Sequence, residues 1–349
     1  MKGFLKTVGL LAGLWTACSG LSHAQPAPIK IGELNSYKAL PALMGPYRKG
    51  WELAQDEVNN SGGVLGRKVE TIFRDDNANP GDAVRAAEEL VSRERVDVLA
   101  GVTLSNVGLA VADFAAQRKA FFLASGPLSD KVVWDNGNRY TYRLRSGTHA
   151  LAASVVEEAA KAKKKRWALV YPNYEYGQAA IATFKTALKK AQPDVEFVTE
   201  QAPPFGKLDA GAVVQALEDA KPDAIFNVLF GADLTKFARE GKTRGLFKNR
   251  LVVSLLTGEP EYMDPLKDEA PNGWIVTGYP WYGLQTPEHK GVKQGGAHLG
   301  IGGRRGRGRK CLENALSGVG QPRYFATIKC CAVIYCRAVR LSGYKATAT

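Results

Sequence analysis

Two periodicities alternate along this chain. Short apolar runs bounded by Gly, Asn, Asp or Pro predict strands at residues 28–32, 69–73, 96–101, 121–124 and 139–145. Five more follow at 167–171, 195–199, 224–229, 251–255 and 274–278. Between them, apolar residues at helical spacing predict helices. Tyr47, Trp51, Ala54 and Val58 mark one over 45–60, and Val107, Val111 and Phe114 mark another after the third strand. Pro80 opens a helix lined by Ala83, Ala87, Leu90 and Val91, at a position where its missing N–H costs nothing. Further helices are expected at 150–162, 177–191, 210–220 and 234–245. Apolar runs without alternation suit strands buried on both faces of a parallel sheet. The rhythm restarts after Ser146-Gly147, which predicts an α/β protein of two doubly wound parallel-sheet lobes in series.

The strand ends carry the candidate chemistry. Thr103, Ser105 and Asn106 follow the strand at 96–101, and Ser125-Gly126 follows the strand at 121–124. In an open α/β sheet, ligands sit at the carboxyl ends of strands. Free N–H groups at a helix start, flanked by hydroxyls, suit a small carboxylate. The competing reading is that Thr103 and Ser105 only cap a helix. Asn35 and Tyr37 lie in a small, polar loop after the first strand. In the second unit the corresponding residues are 171–177, Phe230-Gly231 and Thr257-Gly258-Glu259. Hydroxyls, aromatic rings and one isolated acid on facing strand ends suit a small zwitterion or carboxylate.

The net charge of +13 suggests a nucleic-acid partner until it is located. Residues 290–349 hold 12 Lys and Arg against a single acid, Glu313, which leaves 35 basic and 33 acidic residues elsewhere. The body is therefore nearly neutral, and no nucleic-acid face is expected on it. Arg304-Arg305-Gly306-Arg307-Gly308-Arg309-Lys310 reads either as an RGG-like segment that binds RNA or anionic surfaces, or as coding sequence translated out of frame. The cysteines divide in the same way, with Cys18 near the start and Cys311, Cys330, Cys331 and Cys336 in the tail. At the other end, Lys2 and Lys6, a short apolar run and Ser22-His23-Ala24 predict a secretory signal peptide over 1–24, cleaved after Ala24. A lipoprotein signal at Cys18 is the alternative.

Catalytic apparatus is not evident. The histidines after residue 24 are His149, His289 and His298, without metal-ligand spacing. There is no G-x-S-x-G elbow, phosphate loop or G-x-G-x-x-G after the first strand. No enzyme activity, cofactor or metal is expected. Asp75-Asp76 reads as a solvated turn, and Glu88-Glu89 and Glu157-Glu158 read as helix surface charge.

The phrases KIGELNSY, KGWELAQDEVNNSGGVLGRKVETIFRDD, AAEELVSRERVDVLAG, FFLASG and YPNYEYGQAA resemble the periplasmic substrate-binding proteins of branched-chain amino acid type ABC importers, over about 28–290. The resemblance implies the type I periplasmic-binding fold, two α/β lobes joined by a hinge that the chain crosses three times. It implies that Thr103, Ser105 and Ser125 hold a ligand carboxylate, that Tyr176 and Tyr174 line the site, and that Glu259 takes an ammonium. Asn35 and Tyr37 would cap the site. It also implies a periplasmic monomer that closes on an amino acid or related small carboxylate and presents it to an inner-membrane ABC permease. A ligand-sensing receptor domain on the same fold is the alternative. The expected division is 25–146 plus about 280–290 for the first lobe and 147–279 for the second. The basic tail, 291–349, stands where the family completes the first lobe, so that part of the lobe is expected to be missing or replaced, and the tail poorly ordered.

Overall fold

The protein is described here by a computed structural model over residues 26–278, which carries ten parallel strands in two sheets. The first sheet contains β1 (Ile29–Asn35), β2 (Val69–Asp75), β3 (Val98–Gly101), β4 (Phe122–Ala124) and β5 (Thr141–Arg143), in the order β2-β1-β3-β4-β5. The second contains β6 (Arg166–Val170), β7 (Glu196–Gln201), β8 (Ala224–Asn227), β9 (Leu251–Ser254) and β10 (Ile275–Val276). Its order, β10-β9-β8-β6-β7, is the same winding read from the other edge. All ten expected strands are present, and the two lobes share one topology.

Period-2 alternation within β1 assigns its residues to two helical layers. Ile29 and Ile31 point to α1 (Pro41–Asn60), where Met44, Tyr47, Trp51 and Ala54 complete a core with Val98, Ala100, Phe121 and Leu123. Leu34 points the other way, to α2 (Pro80–Ser92) and α3 (Ser105–Arg118). Gly32 lies on that second face, where a Cβ would stand 2.9 Å from Leu90, so the missing side chain lets α2 sit close to the strand. Helix α1 begins four residues before the expected Gly45, with Pro46 inside it.

In the second lobe α4 (Thr148–Lys161) packs on α5 (Glu175–Ala191), and α6 (Ala210–Asp219), α7 (Gly231–Arg244) and the short α8 (Pro260–Met263) complete the helical layers. Phe184 of α5 stacks on Phe226 of β8 with ring centroids 3.7 Å apart and meets Trp167 of β6 edge-on. All three are fully buried.

The chain passes from first to second lobe between β5 and α4. The other two expected crossings, the signal peptide and the basic tail lie outside the described residues, as does the completion of the first lobe. Among the described residues, no helix is long and apolar enough to cross a membrane.

Candidate functional site

At the carboxyl ends of β1, β3 and β4 the first lobe builds a polar network around an unexpected centre, Glu33. This side chain continues the inward row of Ile29 and Ile31 and is fully buried. Its carboxyl accepts from the Tyr37 hydroxyl and, at 3.1 Å, from Asn35 Nδ2. Tyr47 is a third hydrogen-bond partner. Burial raises the Glu33 pKa to about 8, against the pull of these donors. The carboxyl fits because Gly101 lies opposite. Gly101 has φ +107°, and a Cβ there would stand 2.6 Å from Glu33 Oε1. Val102 follows at φ +64°, unusual for a β-branched residue.

The first-lobe candidates attach to this network. Thr103 donates to Asn35 Oδ1 at 2.7 Å, and the Ser125 hydroxyl lies 3.3 Å from that of Tyr47. Gly126 lies against the backbone of Val102 and Thr103, where a Cβ would meet Val102 O at 2.5 Å. Asn106 Oδ1 is buried without a hydrogen-bond partner. Ser105 Oγ accepts from the N–H groups of Leu128 and Ser129 at 3.2 and 3.1 Å. That leaves its own proton for another acceptor.

Helix capping is therefore not the role of Thr103 or Ser105. The residue before α3 is Leu104, and no side chain caps the helix. Asn35 and Tyr37 are both held within the first lobe. Asn35 is the buried last residue of β1, and Tyr37 packs edge-on against Phe73 with its hydroxyl on Glu33. The solvated turn expected at Asp75-Asp76 is corrected at its second residue. Asp76 is fully buried and accepts from Ser36 Oγ at 2.6 Å and Ala78 N at 2.8 Å. The surface-charge reading holds for Glu157 and Glu158, which are exposed and pair with Lys161. Glu88 and Glu89, partly exposed, pair with Arg118 and Arg74 of neighbouring elements.

The second-lobe candidates form an aromatic cluster at the starts of α5 and α7. Tyr174, Tyr176, Phe205 and Phe230 lie with ring centroids 5.1–6.5 Å apart. Asp233, in the first turn of α7, accepts from Gly206 N at 2.7 Å and so fixes the loop that carries Phe205. Tyr176 is buried and its hydroxyl has no partner. Burial pushes the phenols of Tyr174, Tyr176 and Tyr262 up. Glu259 is already engaged, with Oε1 2.5 Å from Nη2 of Arg145, a residue just after β5 that the strand-end reading left without a role.

One segment brings the two halves together. Ser129, held through its N–H by Ser105, donates from its hydroxyl to Glu175 Oε1 at 2.8 Å, and Lys131 Nζ reaches Glu175 Oε2 at 3.1 Å. Glu175 is the first residue of α5, between Tyr174 and Tyr176. The starts of α3 and α5, both without side-chain caps, thus meet across the lobe boundary. Helices on the outer edge strands differ: Asn79 caps α2 and Asp209 caps α6. A separate groove of about 490 Å³ lies between α2 and α3, lined by Val84, Arg85 and Phe114, and does not involve the strand ends. Among the described residues, no group of His, Cys, Asp and Glu is placed to hold a metal.

Comparison with known proteins gives a consistent picture. Residues 28–294 match the family described as periplasmic binding protein. Leu/Ile/Val-binding protein homolog 7 of Brucella suis biovar 1 (strain 1330) is 26% identical over 244 residues, covering 66% of this chain and 60% of the relative. Leu/Ile/Val-binding protein BraC3 of Rhizobium johnstonii is 29% identical over 224 residues, with 63% and 58% covered. The chain thus spans about 60% of the length of these curated relatives. Among solved structures, an ABC transporter solute-binding protein of Rhodopseudomonas palustris BisB5, in complex with 3,4-dihydroxybenzoic acid, matches with a TM-score of 0.62 and 25% identity. That match covers 71% of this chain and 66% of the other. A leucine-binding protein of Thermotoga maritima MSB8, 18% identical, shares the fold with a TM-score of 0.63 over 76% of this chain and 74% of its own.

Proposed function

The chain belongs to the periplasmic binding protein family, and from that premise we propose that it captures a small carboxylate between its two lobes as the solute-binding component of an ABC importer. The observation that carries this reading is the bridge Ser105–Ser129–Glu175, which joins the strand-end regions of both lobes at the starts of α3 and α5. The start of α3, without a side-chain cap and without an acid in its first turn, presents N–H groups and the positive end of its dipole to an anion. Ser105 has a proton left to donate. Thr103, Asn106, Ser125 and Gly126 form the wall of the first lobe, and Tyr174 and Tyr176 that of the second.

On this reading the lobes divide near 146–147 and close by hinge motion, the bound form being what a membrane permease recognises. The role is binding without catalysis, in the periplasm. The likeness to solute-binding proteins of both benzoates and leucine supports a small carboxylate and leaves its remaining groups to the chemistry of the site. Titration calorimetry of the full chain against small carboxylates tests the proposal. Saturable one-to-one binding is expected, with a melting temperature that rises with ligand concentration, by about 2.7 kcal/mol of added stability at a hundredfold excess over Kd. A panel in which no carboxylate gives heat or a shift would overturn it.

A further inference from the structure

We propose that the second-lobe half of this site selects carboxylates lacking an α-ammonium group, aromatic acids foremost, over amino acids. The inference rests on the carboxylate-capture reading above and adds the ligand's other end. An amino-acid site needs an acid whose charge is available to the ammonium; the family resemblance assigns that part to Glu259, and the other acid at the junction, Glu175, is already held by Ser129 and Lys131. Glu259 Oε1 stands 2.5 Å from the Arg145 guanidinium, and the two side chains are 17% and 29% exposed. A pair this close and this sheltered presents almost no net charge to a ligand. An incoming ammonium would gain little from Glu259 and would meet the Arg145 cation beside it.

The surroundings tilt the same way. Helices α3, α5 and α7 all begin without a side-chain cap, at the ends of β3, β6 and β8; Glu175 and Asp233 occupy the first turns of α5 and α7, whereas the first turn of α3 holds no acid and leaves its positive dipole end unopposed at the strand terminus. The rings of Tyr174, Tyr176, Phe205 and Phe230 supply an apolar wall at the starts of α5 and α7, suited to stacking with another ring. The Tyr176 hydroxyl, buried and without a partner, gives that wall one polar group for a ring substituent. An anionic ligand with an apolar or aromatic body satisfies all of these at once.

Matched pairs that differ only in the ammonium test this. The full chain is titrated with leucine and 4-methylpentanoate, and with phenylalanine and 3-phenylpropanoate. The ammonium-free member of each pair should bind at least tenfold more tightly. Glu259→Gln removes a negative charge beside Arg145 and should therefore hold or tighten the affinity for the ammonium-free acids, its folding checked by the melting temperature. Tighter binding of leucine or phenylalanine than of their ammonium-free twins would overturn the inference while leaving carboxylate capture in place, and so would tenfold weakening of the acids in a folded Glu259→Gln. Binding by no carboxylate of either kind would overturn both.

Discussion

The hydroxyl of Tyr37 donates to the carboxyl of Glu33, deep under α1, where an alternating strand would place an apolar residue. Burial holds the proton on Glu33 up to a pKa of about 8, against an ordinary value of 4.5. Between those values the folded chain keeps a proton that the unfolded chain has released. Stability should therefore fall as pH rises from about 4.5 to about 8 and level off above it. Glu33→Gln, neutral at every pH and of the same shape, should flatten this slope and raise the melting temperature at pH 8 relative to the parent. Melting curves from pH 5 to 9 check it, and superimposable profiles would refute the shift.

Gly101 answers for the same carboxyl. A Cβ at φ +107° is strained, and here it would also stand 2.2 Å from Leu34 O and 2.6 Å from Glu33 Oε1. Gly101→Ala should cost about 3 kcal/mol in denaturant unfolding, because backbone and carboxyl must both shift. A loss under about 1 kcal/mol would mean that the strand end relaxes freely.

Asp130 joins the lobes by a different contact. Its Oδ2 accepts from Thr148 Oγ1 at 2.9 Å and from His149 N at 2.6 Å, and its Oδ1 pairs with Arg143 Nη2 at 2.9 Å. Asp130→Ala leaves Arg143 without that acid in a site where both side chains are 12% exposed. The expected loss is about 3–5 kcal/mol, read by urea unfolding. Asp130→Asn should recover part of it by keeping the cap.

Phe184 tests the second core alone. Truncation to Ala removes its 3.7 Å stack on Phe226 and its edge contact with Trp167. A loss of about 3–5 kcal/mol is expected. Because Phe184 lies in the third turn of α5, well after the helix start that carries Glu175 and Tyr176, ligand affinity in the surviving folded fraction should stay within twofold of the parent.

The ten strands were legible because a parallel strand is a short uniform apolar run, and that signal is local. Helix starts were less so: α1 begins at Pro41 under a polar-looking loop, since its burial depends on Tyr47 and Trp51 further on. That Ser105, Ser125 and Tyr176 follow strand ends was legible from the pattern of apolar runs, while the roles proposed for them come from the family resemblance. Glu33 was not legible, because a glutamate after IKIG reads as the end of a strand. The groups that make it tolerable, Tyr47 and Gly101, are near it only in three dimensions. Continuing the alternation of Ile29 and Ile31 by one step would have flagged it. Arg145 was missed for a similar reason: its partner Glu259 lies 114 residues away, so what looked like an isolated acid was half of a pair.

The cap that Asp130 supplies to α4 comes from the segment after β4, not from α4's own preceding residue, Gly147. The opening helix of the second lobe therefore lacks its own start signal and borrows one made earlier in the chain. Assembly acquires a direction from this. A nascent polypeptide emerging amino end first would have Asp130 before it has α4, so the first sheet can serve as a template on which the second half begins to fold.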